Sequence, residues 1–484
     1  MPKSPITITD EIGIALGNLA DAATSPLTPT LRLGVTGLSR AGKTIFITAL
    51  VHNLLNGTRL PGFAPLTEGR LIGVRLDEHE DHAVPRFAYE QHLGSLTGPE
   101  PAWPESTRRI SQLRLTLKYQ SRNWIGGLVG PSQMHLDIVD YPGEWLLDLP
   151  LLNLSYAQWS REALERAERV KDAEARPFFE AMSAIDATAE ATEPAAEALA
   201  TAFAAYLRES RKDGRALSTL PPGRFLMPGD LEGSPALTFA PLPPLPGHTD
   251  RRSLHAMLER RYEAYRRLVV RPFFRDHFAR LDRQIVLVDT LRALNVGPDA
   301  VADLESAITA VMACFRQGSG NPVSRLLSRR IDRILFAATK ADHLHHTSHD
   351  RLQAILERMV ARAARRSRYH GARTASMAIA AIRATREGTI EDKGEKLPCI
   401  VGTPQAGEHL GNITYDGKTE IALFPGDLPG DPESVFQEGS VPVPLHFLRF
   451  NPPGGLSRSG DGAVVLPHIR LDRALDFLIG DWLK

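Results

Sequence analysis

Gly37-Leu-Ser-Arg-Ala-Gly42-Lys43-Thr44 spells G-x-x-x-x-G-K-T, a spacing at which a backbone can cradle phosphate. Gly37 and Gly42 let the chain bend so that the N–H groups of Ser39, Arg40, Ala41, Gly42, Lys43, Thr44 and Ile45 face one anion. The N-terminus of a following helix adds its positive dipole end. The Lys43 ammonium can reach β- and γ-phosphate oxygens, and the Thr44 hydroxyl can ligate Mg²⁺.

Three further stretches supply what such a loop needs. In WPESTRRIS, Thr107 is the candidate for a second Mg²⁺ hydroxyl, with Ser106 as its rival and an ordinary loop hydroxyl as the bland alternative. The adjacent Arg108 and Arg109 read as solvated, with an arginine finger as the sharper alternative. In Asp140-Tyr-Pro-Gly143-Glu144, Asp140 ends an apolar run and can hold Mg²⁺ through water, while Gly143 offers an N–H to a γ-phosphate. Glu144 sits where a residue orienting the attacking water would sit, or equally where a carboxylate would favour a helix start.

Thr339-Lys340-Ala341-Asp342 closes another apolar run. The Asp342 carboxylate can accept two N–H donors from a guanine edge, and the Lys340 stem can lie over the base. Adenine places an acceptor where guanine has a ring N–H, so Asp342 would discriminate against ATP. Thr339 belongs to the same loop. Backbone N–H groups of Arg383, Ala384 and Thr385 are the expected donors to the guanine carbonyl. His343, His345, His346 and His349 invite a zinc reading; without nearby cysteine they read as a polar surface loop.

These residues need strand ends to hold them. Leu31–Val35, Leu71–Leu76, Ile110–Tyr119, Leu136–Val139, Gln284–Asp289, Arg333–Ala338 and Ala375–Ile382 read as strands, with helices after Thr44, at 298–316 and at 348–367. Residues 161–213 and 254–282 show helical periodicity around a proline-rich break. Residues 386–468 are rich in Gly and Pro with short strands, and Leu471–Leu483 is an amphipathic helix whose Leu475, Phe477, Leu478 and Trp482 should dock on the sheet.

Lys+Arg and Asp+Glu both number 57 in 484 residues, so charge points to neither nucleic acid nor an anionic surface. Two cysteines, Cys314 and Cys399, fit a reducing compartment. The N-terminal stretch, apolar but broken by Asp10 and Glu11, reads as a short helix over 8–22 rather than a signal peptide or membrane span. Packing on the main domain is its expected role, with peripheral membrane contact as the alternative. The expected location is cytoplasmic.

GVTGLSRAGKTIFITALVHNLL, DYPGEWLLDLPLL and TKAD followed by SMAIAAIRATREG resemble the YcjX family of proteobacterial P-loop proteins over nearly the whole chain. The resemblance implies a Ras-like nucleotide domain that binds guanine nucleotide, with Gly42, Lys43 and Thr44 at the phosphates, Asp342 at the base, and an association with stress. It also suggests comparison with heterotrimeric G-protein α subunits. There the helical insertion precedes the switch threonine; here the larger insertion follows DxxG, and Glu144 replaces their Gln.

The expectation is therefore an α/β, Ras-like P-loop core with a mostly parallel sheet, a helical insertion and a β-rich C-terminal appendage. Its parts are 1–144 and 283–385 for the core, 145–282 for the insertion and 386–484 for the extension. The expected function is a GTP-binding, Mg²⁺-dependent, slow GTPase switch cycling between GTP and GDP, its helical insertion meeting a protein effector. An ATPase of the P-loop class and a nucleotide-gated binding protein are the alternatives.

Overall fold

Leu31, Leu33 and Val35 are fully buried on β1 (Thr30–Gly37), the middle of a seven-stranded sheet in a computed structural model of the chain. The described residues are 28–38, 40–57, 59–105, 107, 109–122, 131–169, 173–212, 219–245, 250–315, 331–392, 394–437, 445–460 and 462–484. Two compact units emerge from residue contacts. One comprises 1–20, 144–280 and 306–329, the other 21–143, 281–305 and 330–484, both bounded to include residues outside the described set. Ser306 onward of the helix Pro298–Cys314 thus groups with the helical segment, although the sequence reading keeps 298–316 within the core. The expected helix over 8–22 lies outside the described residues.

The sheet runs β2-β3-β4-β1-β5-β6-β7. Its strands are β2 (Leu71–Asp77), β3 (Ser111–Tyr119), β4 (Ser132–Asp140), β5 (Arg283–Val288), β6 (Arg333–Ala338) and β7 (Arg373–Ala378). From β4 to β7 every pairing is parallel; β2–β3 and β3–β4 are antiparallel. The mostly parallel sheet is as expected. All six residues of β5 are buried, as a strand covered on both faces requires. Parallel register carries Gly37, Asp140, Val288, Ala338 and Ala378 to the same edge, where the chemical residues hang.

Helix α1 (Lys43–Asn56) lies between left-handed glycines, Gly42 at φ 86° and Gly57 at φ 59°. Eleven of its fourteen residues are buried, so tertiary packing holds it rather than a single apolar stripe. Helix α2 (Leu471–Ile479) packs Leu471, Leu475, Leu478 and Ile479 into the same core; Phe477 and Trp482 are partly buried against it. Burying each such large side chain contributes about 1.5–3 kcal/mol. The Asp472 and Asp476 carboxylates accept from the N–H groups of Gly62 and Ala64 and fix the helix's direction.

Strand β7 ends at Ala378, four residues before the expected Ile382. Beyond it the chain is drawn off the sheet. Ala380 exchanges backbone hydrogen bonds with Ile469, and Arg383 N–H donates to Pro467 O at 2.8 Å. The extension forms a sheet of β8 (Arg386–Asp392), β9 (Glu395–Gly402) and β12 (Ile421–Leu423), with a hairpin of β10 (His409–Leu410) and β11 (Ile413–Thr414). Leu445–Phe450 forms only an isolated bridge, between Phe450 and Pro404.

The helical unit has its own aromatic core. Trp159 stacks on Tyr262 at 5.1 Å and meets Phe203 and Phe239 edge-on. The expected helical stretch over 161–213 is broken into helices 156–169, 176–183 and 193–210, whereas the helix beginning at Leu254 runs to Asp276 through a π-helical stretch at Arg266–Val270.

Candidate functional site

Strand β1 delivers the phosphate loop. Gly37 is pressed against the next strand: a Cβ there would lie 2.6 Å from the Leu287 carbonyl oxygen, which only glycine avoids. Ala41 N–H donates to Leu38 O at 3.2 Å, closing a turn, and Arg40 and Gly42 both take positive φ. A non-glycine residue at φ 63° is a strained conformation that the surrounding loop enforces. Lys43 Nζ folds back onto Gly37 O at 2.9 Å and Leu38 O at 3.4 Å, so the ammonium is held across the loop. Ile45 is half-buried in the first turn of α1; Ser39 lies outside the described residues.

Thr44, Thr107 and Asp140 come together from three separate segments. The Thr44 and Thr107 hydroxyl oxygens are 3.1 Å apart, and Thr107 Oγ1 donates to Asp140 Oδ2 at 2.5 Å. Among the described residues, the buried Asp140 Oδ1 has no hydrogen-bond partner. Burial pushes the Asp140 carboxyl up to about 6, against the opposing pull of the Lys43 charge and the Thr107 hydroxyl. Two hydroxyls around a buried carboxylate with an unsatisfied oxygen form the hard oxygen set that Mg²⁺ takes. The residues fit that ion. Ser106 and Arg108 lie outside the described residues, and Arg109 is exposed. Gly143 is buried, and Glu144 is half-buried at the first position of the helical unit.

Strands β5, β6 and β7 deliver a second cluster at the same edge. Thr339 N–H donates to Val288 O at 3.0 Å and Ala341 N–H to Ile379 O at 3.0 Å, which locks the loop after β6 between its neighbours. Lys340, in left-handed backbone at φ 61°, places Nζ 2.5 Å from Asp289 Oδ2. Asp342 is buried and its Oδ2 accepts from Ala384 N–H at 2.7 Å, while Thr385 Oγ1 donates to the Asp342 carbonyl. Arg383 N–H is engaged by Pro467 O and Ala384 N–H by Asp342, so these groups brace the loop. Ala381 N–H, closer to the end of β7, makes no hydrogen bond among the described residues.

Residues 31–483 match the YcjX-like family, DUF463. The chain belongs to the YcjX-like family. A relative from Escherichia coli (strain K12), named Ras-like GTPase YcjX, is 38% identical over 466 residues, covering 94% of this chain and 96% of the relative. Another of that name, from Shewanella oneidensis, is 36% identical over 477 residues, covering 94% and 95%. In this YcjX-like chain the sheet order is that of a Ras-like core to which β2 adds an outer antiparallel strand. Two residues beside these loops escaped the sequence reading. Asp289 ends a buried strand as Asp140 does, and that shared position was a usable signal. Ala381 carries no such signal, because only the early end of β7 shows it to face a loop.

Among the described residues no helix is long and apolar enough to cross a membrane.

Proposed function

We propose that this chain binds guanine nucleotide and hydrolyses GTP to GDP and phosphate with Mg²⁺, as a slow molecular switch. The convergence of Thr44, Thr107 and Asp140 beside the phosphate loop carries this reading. The family and the names of its relatives support it.

Lys43 and the loop amides hold phosphate charge, and the two threonine hydroxyls and Asp140 hold Mg²⁺. Bound Mg²⁺ supplies neutralisation of phosphate charge. Asp342 reads the guanine edge, with Lys340 steadied by Asp289 and the Ala381 N–H offered to the base carbonyl. Glu144, assigned from its sequence place after Gly143, orients the attacking water; its removal lowers turnover and leaves GDP affinity unchanged. The helical unit is the surface offered to a protein effector.

Calorimetric titration of nucleotide-stripped protein with GDP and with ADP, in Mg²⁺, tests the reading. Tight GDP binding with no ADP signal is expected. Comparable ADP binding would move the protein to the ATPase class and reduce Asp342 to a loop brace.

A further inference from the structure

The four histidines after Asp342 do not behave as one polar loop. His343 and His349 are buried, the first edge-on to Phe450, the second with Nε2 3.3 Å from Leu344 O. His345 and His346 instead turn towards Glu387, the second residue of β8.

We infer that His345, His346 and Glu387 form a binding site for a divalent transition-metal ion of the zinc class. One ligand atom from each lies within 4.8 Å of the others. His346 Nδ1 is 2.9 Å from Glu387 Oε2, and His345 Nε2 is 4.0 Å from the same oxygen. Tetrahedral zinc, with bonds of about 2.0–2.1 Å, sets its ligand atoms about 3.3 Å apart. The observed separations bracket that value, so small side-chain rotations complete the site.

The supporting contacts favour it. His345 Nδ1 lies 3.0 Å from Thr347 Oγ1, which leaves Nε2 to face the cluster. Glu387 uses its other oxygen, Oε1, towards Arg383 at 3.8 Å. Glu387 also lines an open cavity of about 530 Å³ with Thr385, Arg386 and Glu420, leaving room for a further ligand. Two imidazoles and one carboxylate suit zinc, cobalt or nickel, and are poor ligands for Mg²⁺.

The site's place in the fold gives it a consequence. His345 and His346 follow Asp342 by three and four residues, and Glu387 follows Thr385 by two. Metal would therefore staple the loop after β6 to the start of β8, just past the point where Asp342 already meets Ala384 and Thr385. The site stands on its own residues; its coupling to nucleotide rests on the function proposed above for Asp342. By linkage, metal and GDP change each other's affinity by one factor, expected at about fivefold or more.

The full chain, stripped of nucleotide and held in excess Mg²⁺, is titrated with Co²⁺ and then Zn²⁺. One equivalent of Co²⁺ should give the intense visible absorption of a four- or five-coordinate ion, displaced by Zn²⁺. Glu387→Gln and His346→Ala should each weaken binding by more than about 10-fold. Glu420→Gln, on the same cavity, should leave it intact. No binding at micromolar metal, or binding indifferent to Glu387→Gln, overturns the site. GDP titration with and without Zn²⁺ reads the coupling, and an unchanged GDP affinity overturns that part. Cobalt bands in a protein that binds no GDP would sink the nucleotide reading and leave the metal site standing.

Discussion

Thr107 Oγ1 stands 3.1 Å from Thr44 Oγ1, although the two residues are 63 positions apart in the chain. Both hydroxyls meet beside the buried Asp140 carboxylate. If this cluster holds Mg²⁺, Thr107→Ala should raise the Mg²⁺ concentration needed for half-maximal GTP hydrolysis by about 10–100-fold, whereas Thr107→Ser should stay near wild type. Equal Mg²⁺ dependence in all three proteins would remove Thr107 from the ion's surroundings.

Charge-assisted hydrogen bonds to a base are worth about 1.5–3 kcal/mol each. Asp342→Asn keeps an oxygen for the Ala384 N–H but loses the carboxylate. GDP affinity should fall by about 10–100-fold and ADP binding should not change. The readout is competitive displacement of a fluorescent GDP analogue, and undiminished GDP binding would contradict the assignment.

Lys340 and Asp289 form a pair in which Asp289 is the more buried partner, at 8% side-chain exposure against 32%. Lys340→Met leaves that carboxylate with the Arg292 N–H at 3.3 Å. An unpaired buried charge is the costly outcome, so a loss of about 1–3 kcal/mol in unfolding free energy is expected, with partial recovery in the double variant Lys340→Met/Asp289→Asn. Additive losses in the double-mutant cycle would show that the pair is not coupled.

Asp148, inside the helical unit, accepts from Gly223 N–H at 2.6 Å, Arg224 N–H at 3.2 Å and the Tyr265 hydroxyl at 2.6 Å. Burial nevertheless pushes its carboxyl up to about 6, the hydrogen bonds opposing. A pKa raised on folding means that the folded state holds the proton more tightly. The resulting stabilisation is complete below the unfolded carboxylate range and is lost as pH rises through about 6. Relative to Asp148→Asn, which does not titrate, the wild type should therefore gain up to roughly 3 kcal/mol between pH 8 and pH 4. Denaturant melts of both proteins across that range check it; a pH-independent difference would contradict the buried-acid reading.

A Cβ added to Gly223 would lie 1.8 Å from the Glu144 carbonyl oxygen, a backbone atom that cannot turn aside. Gly223→Ala should destabilise the protein by at least about 1–3 kcal/mol, visible as a lowered thermal midpoint. A neutral outcome would mean that this close approach relaxes freely.

The G-x-x-x-x-G-K-T loop, the aspartate that ends β4, and the T-K-x-D loop are local patterns. Each needs only one strand and the turn after it, so apolar runs and glycine spacing were sufficient to mark them, and they also implied a mostly parallel sheet. Even there Asp289 was passed over, because its partner Lys340 is 51 residues away. What the tertiary structure alone decided depends on segments distant in sequence. The C-terminal segment around Pro467 and Ile469 bonds to Ala380 and Arg383 in the chain after β7, while Ala384 N–H bonds to Asp342. The gathering of Thr107 with Thr44 and Asp140 follows from antiparallel pairing of β3 with β4, which brings the loop ahead of β3 to the strand-end edge. The division of the four histidines into two buried and two facing Glu387 was likewise invisible in HLHHTSH. Side-chain periodicity records which face of an element is buried, but the identity of the partner is set by long-range packing that no local window contains.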